Sequence, residues 1–221
     1  MTIYILAEGA SELAFFQAWT TKLRVNQGIV VHPHRGKGAL PADPGEKVSR
    51  KRQGLLDVLP TKLKGFEECL NPQTDSVIVL VDADDDDVTQ LHASIEGVAT
   101  AYCPSLNVGV CIASEEMEAF YLSDLSAVSH AYPHYNKALA ATYVPDSVCG
   151  TWELFRDVIG DLGHDKVGWA KAMGKYCTTS TAKTMSPSYR HLLRTIATFA
   201  NVPPVVPTVK KKAYHRAKPK P

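Results

Sequence analysis

The chain contains no apolar run of roughly 18 residues, the length a helix needs to cross a bilayer. Its strongest apolar stretches, 3–7 and 77–81, have the length of strands, so no membrane span is expected. Met1-Thr2-Ile3-Tyr4 lacks the basic opening of a secretory leader and Glu8 interrupts the apolar run behind it, so the mature chain is expected to start at Met1. Cysteine is sparse: Cys69, Cys103, Cys111, Cys149 and Cys177 include no C-x-x-C spacing, which excludes a locally built zinc or redox centre and predicts reduced thiols in the cytoplasm. No glycine heads the Gly36-Lys37 pair at the spacing of a phosphate-cradling loop, and Gly38 follows where Ser or Thr is required. No serine sits in a Gly-x-Ser-x-Gly elbow, so nucleophilic serine chemistry is not expected either.

What is present is an uneven distribution of charge. Of 24 lysines and arginines, Lys210, Lys211, Lys212, Arg216, Lys218 and Lys220 fall in a tail without acids, which leaves 18 basic residues against 23 acidic ones elsewhere. Asp82, Asp84, Asp85, Asp86 and Asp87 crowd into six positions, where like charges repel and need a compensating partner. Between 35 and 64 the balance reverses, with Arg35, Lys37, Lys47, Arg50, Lys51, Arg52, Lys62 and Lys64 against Asp43, Glu46 and Asp57. That segment and the tail are either solvated surface or groups that meet phosphates through counterion release.

The hydrophobic pattern predicts strands over 2–7, 29–32, 75–81 and 106–113, alternating with helices. The first helix carries Leu13, Phe16, Trp19 and Leu23 as its stripe and is expected to stop at Gly28; the second runs over 46–59 and 62–70, broken at Pro60; the third covers 88–101. Such alternation specifies an α/β fold with a four-stranded, mostly parallel sheet flanked by helices. Beyond 123 the strand pattern stops, and 132–143, 151–160, 166–176 and 188–200 read as short helices. The expected division is a sheet domain at 1–124, a helical C-terminal extension capping it at 125–205, and a basic, disordered tail at 206–221.

Glu8, the pair Asp82 and Asp84, and the pair Glu116 and Glu118 follow the first, third and fourth strands. In open parallel sheets ligands sit beyond the carboxyl ends of strands, so these acids converge on the functional edge. If the backbone stays extended, Asp82, Asp84 and Asp86 point to one side and address one hard cation, Mg2+ or Mn2+. The structural alternative makes Asp84 to Asp87 a solvated turn and cap for the helix at Val88, and places Glu116 and Glu118 on an exposed helix start. Trp152, Trp169, Tyr176 and Tyr189 are either core residues or stacking platforms for bases.

Four segments in order, Glu8-Gly9-Ala10-Ser11-Glu12, Val81-Asp82-Ala83-Asp84-Asp85-Asp86, Glu116-Met117-Glu118-Ala119-Phe120 and Ser186-Pro187-Ser188-Tyr189, resemble a Toprim-like family related in pattern to the overcoming-lysogenization-defect (OLD) nucleases. The resemblance implies a Toprim-like fold and a Mg2+- or Mn2+-dependent nuclease of phage-defence or mobile-element settings, working with nucleic acid and an ABC-type ATPase partner. It implies Glu8, Asp82 and Asp84 as catalytic groups, and Glu8, Asp82, Asp84, Asp86, Glu116 and Glu118 as metal ligands. Glu115 stands where that pattern carries an arginine and Phe120 where it carries a tryptophan, which leaves Lys37 or Arg190 to supply the missing positive charge. Backbone contacts are then expected from Arg35, Lys37, Arg50, Lys51, Arg52, Arg190, Lys210, Lys211 and Lys212. Two other readings stay open: a non-catalytic regulatory or nucleic-acid-binding subunit of an ATPase complex, and nucleotidyl transfer of the primase kind.

Overall fold

The computed structural model describes residues 1–23, 28–43, 53–147 and 150–201. Four strands form one all-parallel sheet: β1 (Thr2–Ala7), β2 (Gly28–Pro33), β3 (Asp75–Asp82) and β4 (Asn107–Ala113), in the order β2-β1-β3-β4. β1 is a central strand rich in β-branched residues, with Ile5 level with Val31 on one side and Ile78 on the other. Alternation along the strands splits their side chains between two apolar clusters. Ile3, Ile5, Ala7, Ile78, Leu80 and Cys111 face α1 (Ala10–Trp19), while Leu6, Val77, Val79, Val81, Val110 and Ile112 face α2 (Leu55–Cys69) and α3 (Val88–Tyr102).

The remaining helices, α4 (Glu118–Leu122), α5 (Leu125–Ala131), α6 (Lys137–Ala140), α7 (Thr151–Ile159), α8 (Lys166–Gly174) and α9 (Pro187–Asn201), supply Phe120, Tyr121, Phe155, Trp169, Met173, Tyr189 and Leu192 to the cluster that contains α1. Trp169 and Tyr189 are therefore core residues, and the C-terminal helices share their apolar interior with the sheet. None of the helices among the described residues is long and apolar enough to cross a membrane.

Several local expectations change. Gly28 does not stop a helix; α1 ends at Trp19, a 3-10 turn follows at Thr20–Lys22, and Gly28 is the first residue of β2. Pro60 does not break α2: its missing N–H forfeits one helical bond, but its ring is buried in a helix whose Leu55, Leu59 and Leu63 hold the second cluster together. The portion of that expected helix at 46–52 lies outside the described residues, as does the tail. Instead of one helix at 132–143 there is α5 before Pro133 and a single turn, α6, after it. Asp124 starts α5 by accepting the Ala127 N–H at 3.0 Å, and also holds the Thr178 N–H at 2.8 Å.

The chain moves from β1 to β2 toward one edge of the sheet and from β3 to β4 toward the other, with the intervening helices on opposite faces. The crossovers diverge at the carboxyl ends of β1 and β3, leaving a crevice there.

Candidate functional site

Glu8 leaves β1 at that crevice, and its Oε1 accepts the backbone N–H of Asp82 at 2.8 Å. The next residue, Gly9, starts α1 and donates its N–H to Glu12 Oε2 at 2.7 Å, which folds the Glu12 carboxylate back over the turn and buries it. Asp82 closes β3, and the charges of Glu8, Glu12, Glu118 and Glu116 act on its carboxyl.

The extended run does not continue through Asp84. Ala83 still pairs with the Ala113 carbonyl at 2.9 Å, but Asp84 turns to φ 47° while its N–H bonds the carbonyl of Glu115, itself at φ 69°. The turn separates Asp84 from the side that Asp82 faces. Asp84 and Asp86 instead meet Lys37, whose Nζ lies 2.6 Å from Asp84 Oδ2 and 2.8 Å from Asp86 Oδ2. The same ammonium donates to the carbonyls of Ala83 at 3.0 Å and Asp82 at 3.2 Å. The loop that carries it is tied to the site by the Gly36 N–H on the Glu8 carbonyl, 2.9 Å. Asp87 caps α3 through the Gln90 N–H at 2.8 Å, so for this residue the capping alternative holds.

After β4, the acids divide between structure and site. Glu115 accepts the N–H groups of Gly150 and Thr151, the latter at 3.0 Å, and so anchors the start of α7. Glu116 Oε2 accepts the Trp152 N–H at 3.1 Å, and its Oε1 takes a hydrogen bond from Lys166 Nζ at 3.0 Å. Glu118 begins α4 with 3% of its surface exposed, the reverse of an exposed helix start. The Tyr121 hydroxyl is buried, has no hydrogen-bond partner among the described residues, and lies within the field of Glu118, Glu12 and Asp82.

The electrostatics follow from this crowding. Burial pushes the Glu8 carboxyl up to about 7, against the Asp82 N–H bond and the Lys37 charge that favour ionisation; Asp84 and Glu12 push it further up. Burial likewise holds Glu118 at about 7 although Lys166 opposes it. Asp82 is held well above the carboxylate range by burial and then by Glu8 and Glu12. Among the described residues the carboxyls of Glu8, Glu12, Asp82, Glu116 and Glu118 outnumber the ammoniums that act on them, Lys166 paired with Glu116 and Lys37 acting on Glu8.

Of the residues expected at the site, Glu8, Asp82, Glu116 and Glu118 come together, and Asp84 and Asp86 form a neighbouring group around Lys37. Arg190 is not at the site: it donates to the carbonyls of Thr181 at 3.2 Å and Thr184 at 2.8 Å. Arg35 is exposed on the loop after β2, its N–H on the Gln53 carbonyl. Arg50, Lys51, Arg52, Lys210, Lys211 and Lys212 lie outside the described residues. Two participants were not singled out as functional from the sequence. Glu12 carries a signal, one helical turn after Glu8 behind a glycine; Lys166, 158 positions after Glu8, carries none.

Hard oxygen donors with too little positive charge among them suit Mg2+ or Mn2+ chemically. As the side chains stand, no three His, Cys, Asp or Glu among the described residues converge as an ion-holding group, so the carboxyls would have to rotate inward to bind one. Two clefts adjoin the crevice. One of about 520 Å3 is lined by Lys37, Leu40, Leu56, Asp86 and Gln90; the other, about 400 Å3, by Asp84, Glu115, Glu116, Trp152 and Glu153.

A family model described as a domain of unknown function (DUF4276) matches residues 7–197, and the chain belongs to that family. No curated protein and no solved structure matches the chain.

Proposed function

We propose that the protein is a Mg2+- or Mn2+-dependent hydrolase of phosphodiester bonds, a nuclease of the Toprim type that acts in the cytoplasm. The observation that carries this reading is the Glu8–Asp82 contact at the β1/β3 crevice, with Glu12, Glu116 and Glu118 acting on it and, among the described residues, fewer ammoniums than carboxyls, Lys166 on Glu116 and Lys37 acting on Glu8. Asp82 and Glu118 are the groups that would hold the ion, with Glu116 beside them and Glu8, bonded to the Asp82 N–H, next to it as a proton acceptor. Bound there, the ion would polarise the phosphate and acidify a water molecule. Glu8, with its carboxyl at about 7, is suited to take the water's proton as the new P–O bond forms. The bond to the leaving oxygen then breaks, and that oxygen takes its proton from solvent.

Toprim-like resemblance supports nucleic acid as the substrate, an ABC-type ATPase as the partner that gates cleavage, and a setting in phage defence or a mobile element. The test is cleavage of labelled single- and double-stranded DNA and RNA in Mn2+ by wild type, Asp82→Ala and Glu8→Gln, with circular dichroism to verify folding. Both variants are expected to be inactive and folded; full metal-dependent cleavage by both refutes the proposal.

A second reading, a regulatory subunit that binds nucleic acid without cutting it, is favoured by one observation. The Asp84 and Asp86 carboxylates are already held by Lys37. Binding without cutting in every metal, alone and with the ATPase, supports this alternative.

A further inference from the structure

Two lysines flank the carboxylates, and their hydrogen bonding differs. Lys37 has four oxygen acceptors, Asp84 Oδ2, Asp86 Oδ2 and the carbonyls of Asp82 and Ala83, which exhaust its three donors, and its side chain is 14% exposed. Lys166 has one among the described residues, Glu116 Oε1; its ammonium otherwise rests 4.9 Å from the centre of the Trp152 ring, and its side chain is 37% exposed. Glu116 and Trp152, which hold it, both line the cleft of about 400 Å3 that adjoins the crevice. Asp165 caps α8 by accepting the Gly168 N–H at 2.8 Å, which fixes the backbone where Lys166 begins the helix.

We infer that Lys166 is the cation that contacts the phosphate of the substrate at this site, in the role expected of Lys37 or Arg190. The inference rests on the hydrolase reading above. The ring and Glu116 hold the ammonium beside the carboxylates while leaving N–H donors for a non-bridging phosphate oxygen. Lys37 is instead a clamp that joins the loop after β2 to the turn after β3, and Arg190 a brace for the segment before α9.

The experiment uses the full chain and two probes, Mn2+ alone, followed by electron paramagnetic resonance, and thymidine 5′-monophosphate titrated calorimetrically into the Mn2+-loaded protein. Lys166→Met is expected to bind Mn2+ at least as tightly as wild type, because a competing positive charge is gone, and the nucleotide roughly tenfold more weakly. Lys166→Arg restores nucleotide binding. Lys171→Met, the same charge change at an exposed position of α8, leaves both measurements at wild-type values. Nucleotide binding by Lys166→Met equal to wild type overturns the assignment. So does parallel loss of Mn2+ and nucleotide, the mark of a purely structural role, or a Mn2+-loaded wild type that binds no nucleotide. Wild type that takes up no Mn2+ overturns the hydrolase reading itself, and this inference with it.

Discussion

Glu8 accepts the Asp82 backbone N–H at 2.8 Å, joining the ends of two adjacent parallel strands that lie 74 positions apart in the chain. The bond orients Glu8 and brings a second carboxyl, that of Asp82, into the same crevice. A hydrogen bond from a backbone N–H favours the ionised carboxylate, yet Glu8 stays protonated up to about 7 because burial outweighs it. The two residues thus form a site that protons or a cation must neutralise.

Stability of the metal-free protein should fall as pH rises from 5 to 8. Glu8 and Glu118 release their protons at about 7 when folded, against an ordinary 4.5, so the folded state binds more protons across that interval. Their contribution is complete below 4.5 and is lost as pH passes through about 7, at roughly 2 to 3 kcal/mol for each group. Thermal melts in a chelating buffer should show the decline, and a combined Glu8→Gln, Glu118→Gln variant should flatten it.

Added Mn2+ at pH 8 should raise the melting temperature of wild type, since a ligand that binds only the folded state stabilises it. Asp82→Asn should melt no lower than wild type in chelator, because burial and the neighbouring carboxyls already disfavour the ionised form of Asp82. The same variant should lose most of the Mn2+-induced rise. A rise as large as that of wild type would remove Asp82 from the ligand set.

Lys37→Met should destabilise the fold by about 1 kcal/mol, the modest figure reflecting that its partners Asp84 and Asp86 are each 54% exposed. Urea titrations of Lys37→Met, Asp84→Asn and the double variant should give a coupling energy of similar size. Those carboxylates and the burial of Lys37 act oppositely on its ammonium, with the carboxylates prevailing, so its folded pKa is raised. The contribution is therefore complete below 10.5 and lost only as pH rises beyond that value.

Gly174→Ala should cost roughly 1 to 3 kcal/mol, because a β-carbon there would overlap the carbonyl oxygen of Phe15 where α8 crosses α1. Because α8 carries Lys166, the same change should weaken nucleotide binding to the Mn2+-loaded protein as well as lower the urea midpoint. A lowered midpoint with unchanged nucleotide affinity would separate helix packing from the site.

Periodicity along the chain was enough to determine the four strands, their parallel arrangement and the placement of acids just beyond β1, β3 and β4, because burial of alternate residues and the reach of a crossover are local properties. It was also enough to mark Glu8 and Asp82. Only the tertiary structure decided how the charges are partnered. The left-handed turn at Asp84 sends Asp84 and Asp86 to Lys37, and the packing of α1 and α8 brings Glu12 and Lys166 to Asp82. The φ angle of Asp84 answers to a hydrogen bond with Glu115, and Lys166 reaches Glu116 across 50 positions. Pairings of that kind depend on register and on packing between distant segments, and a side chain's own neighbours in the chain carry no trace of them.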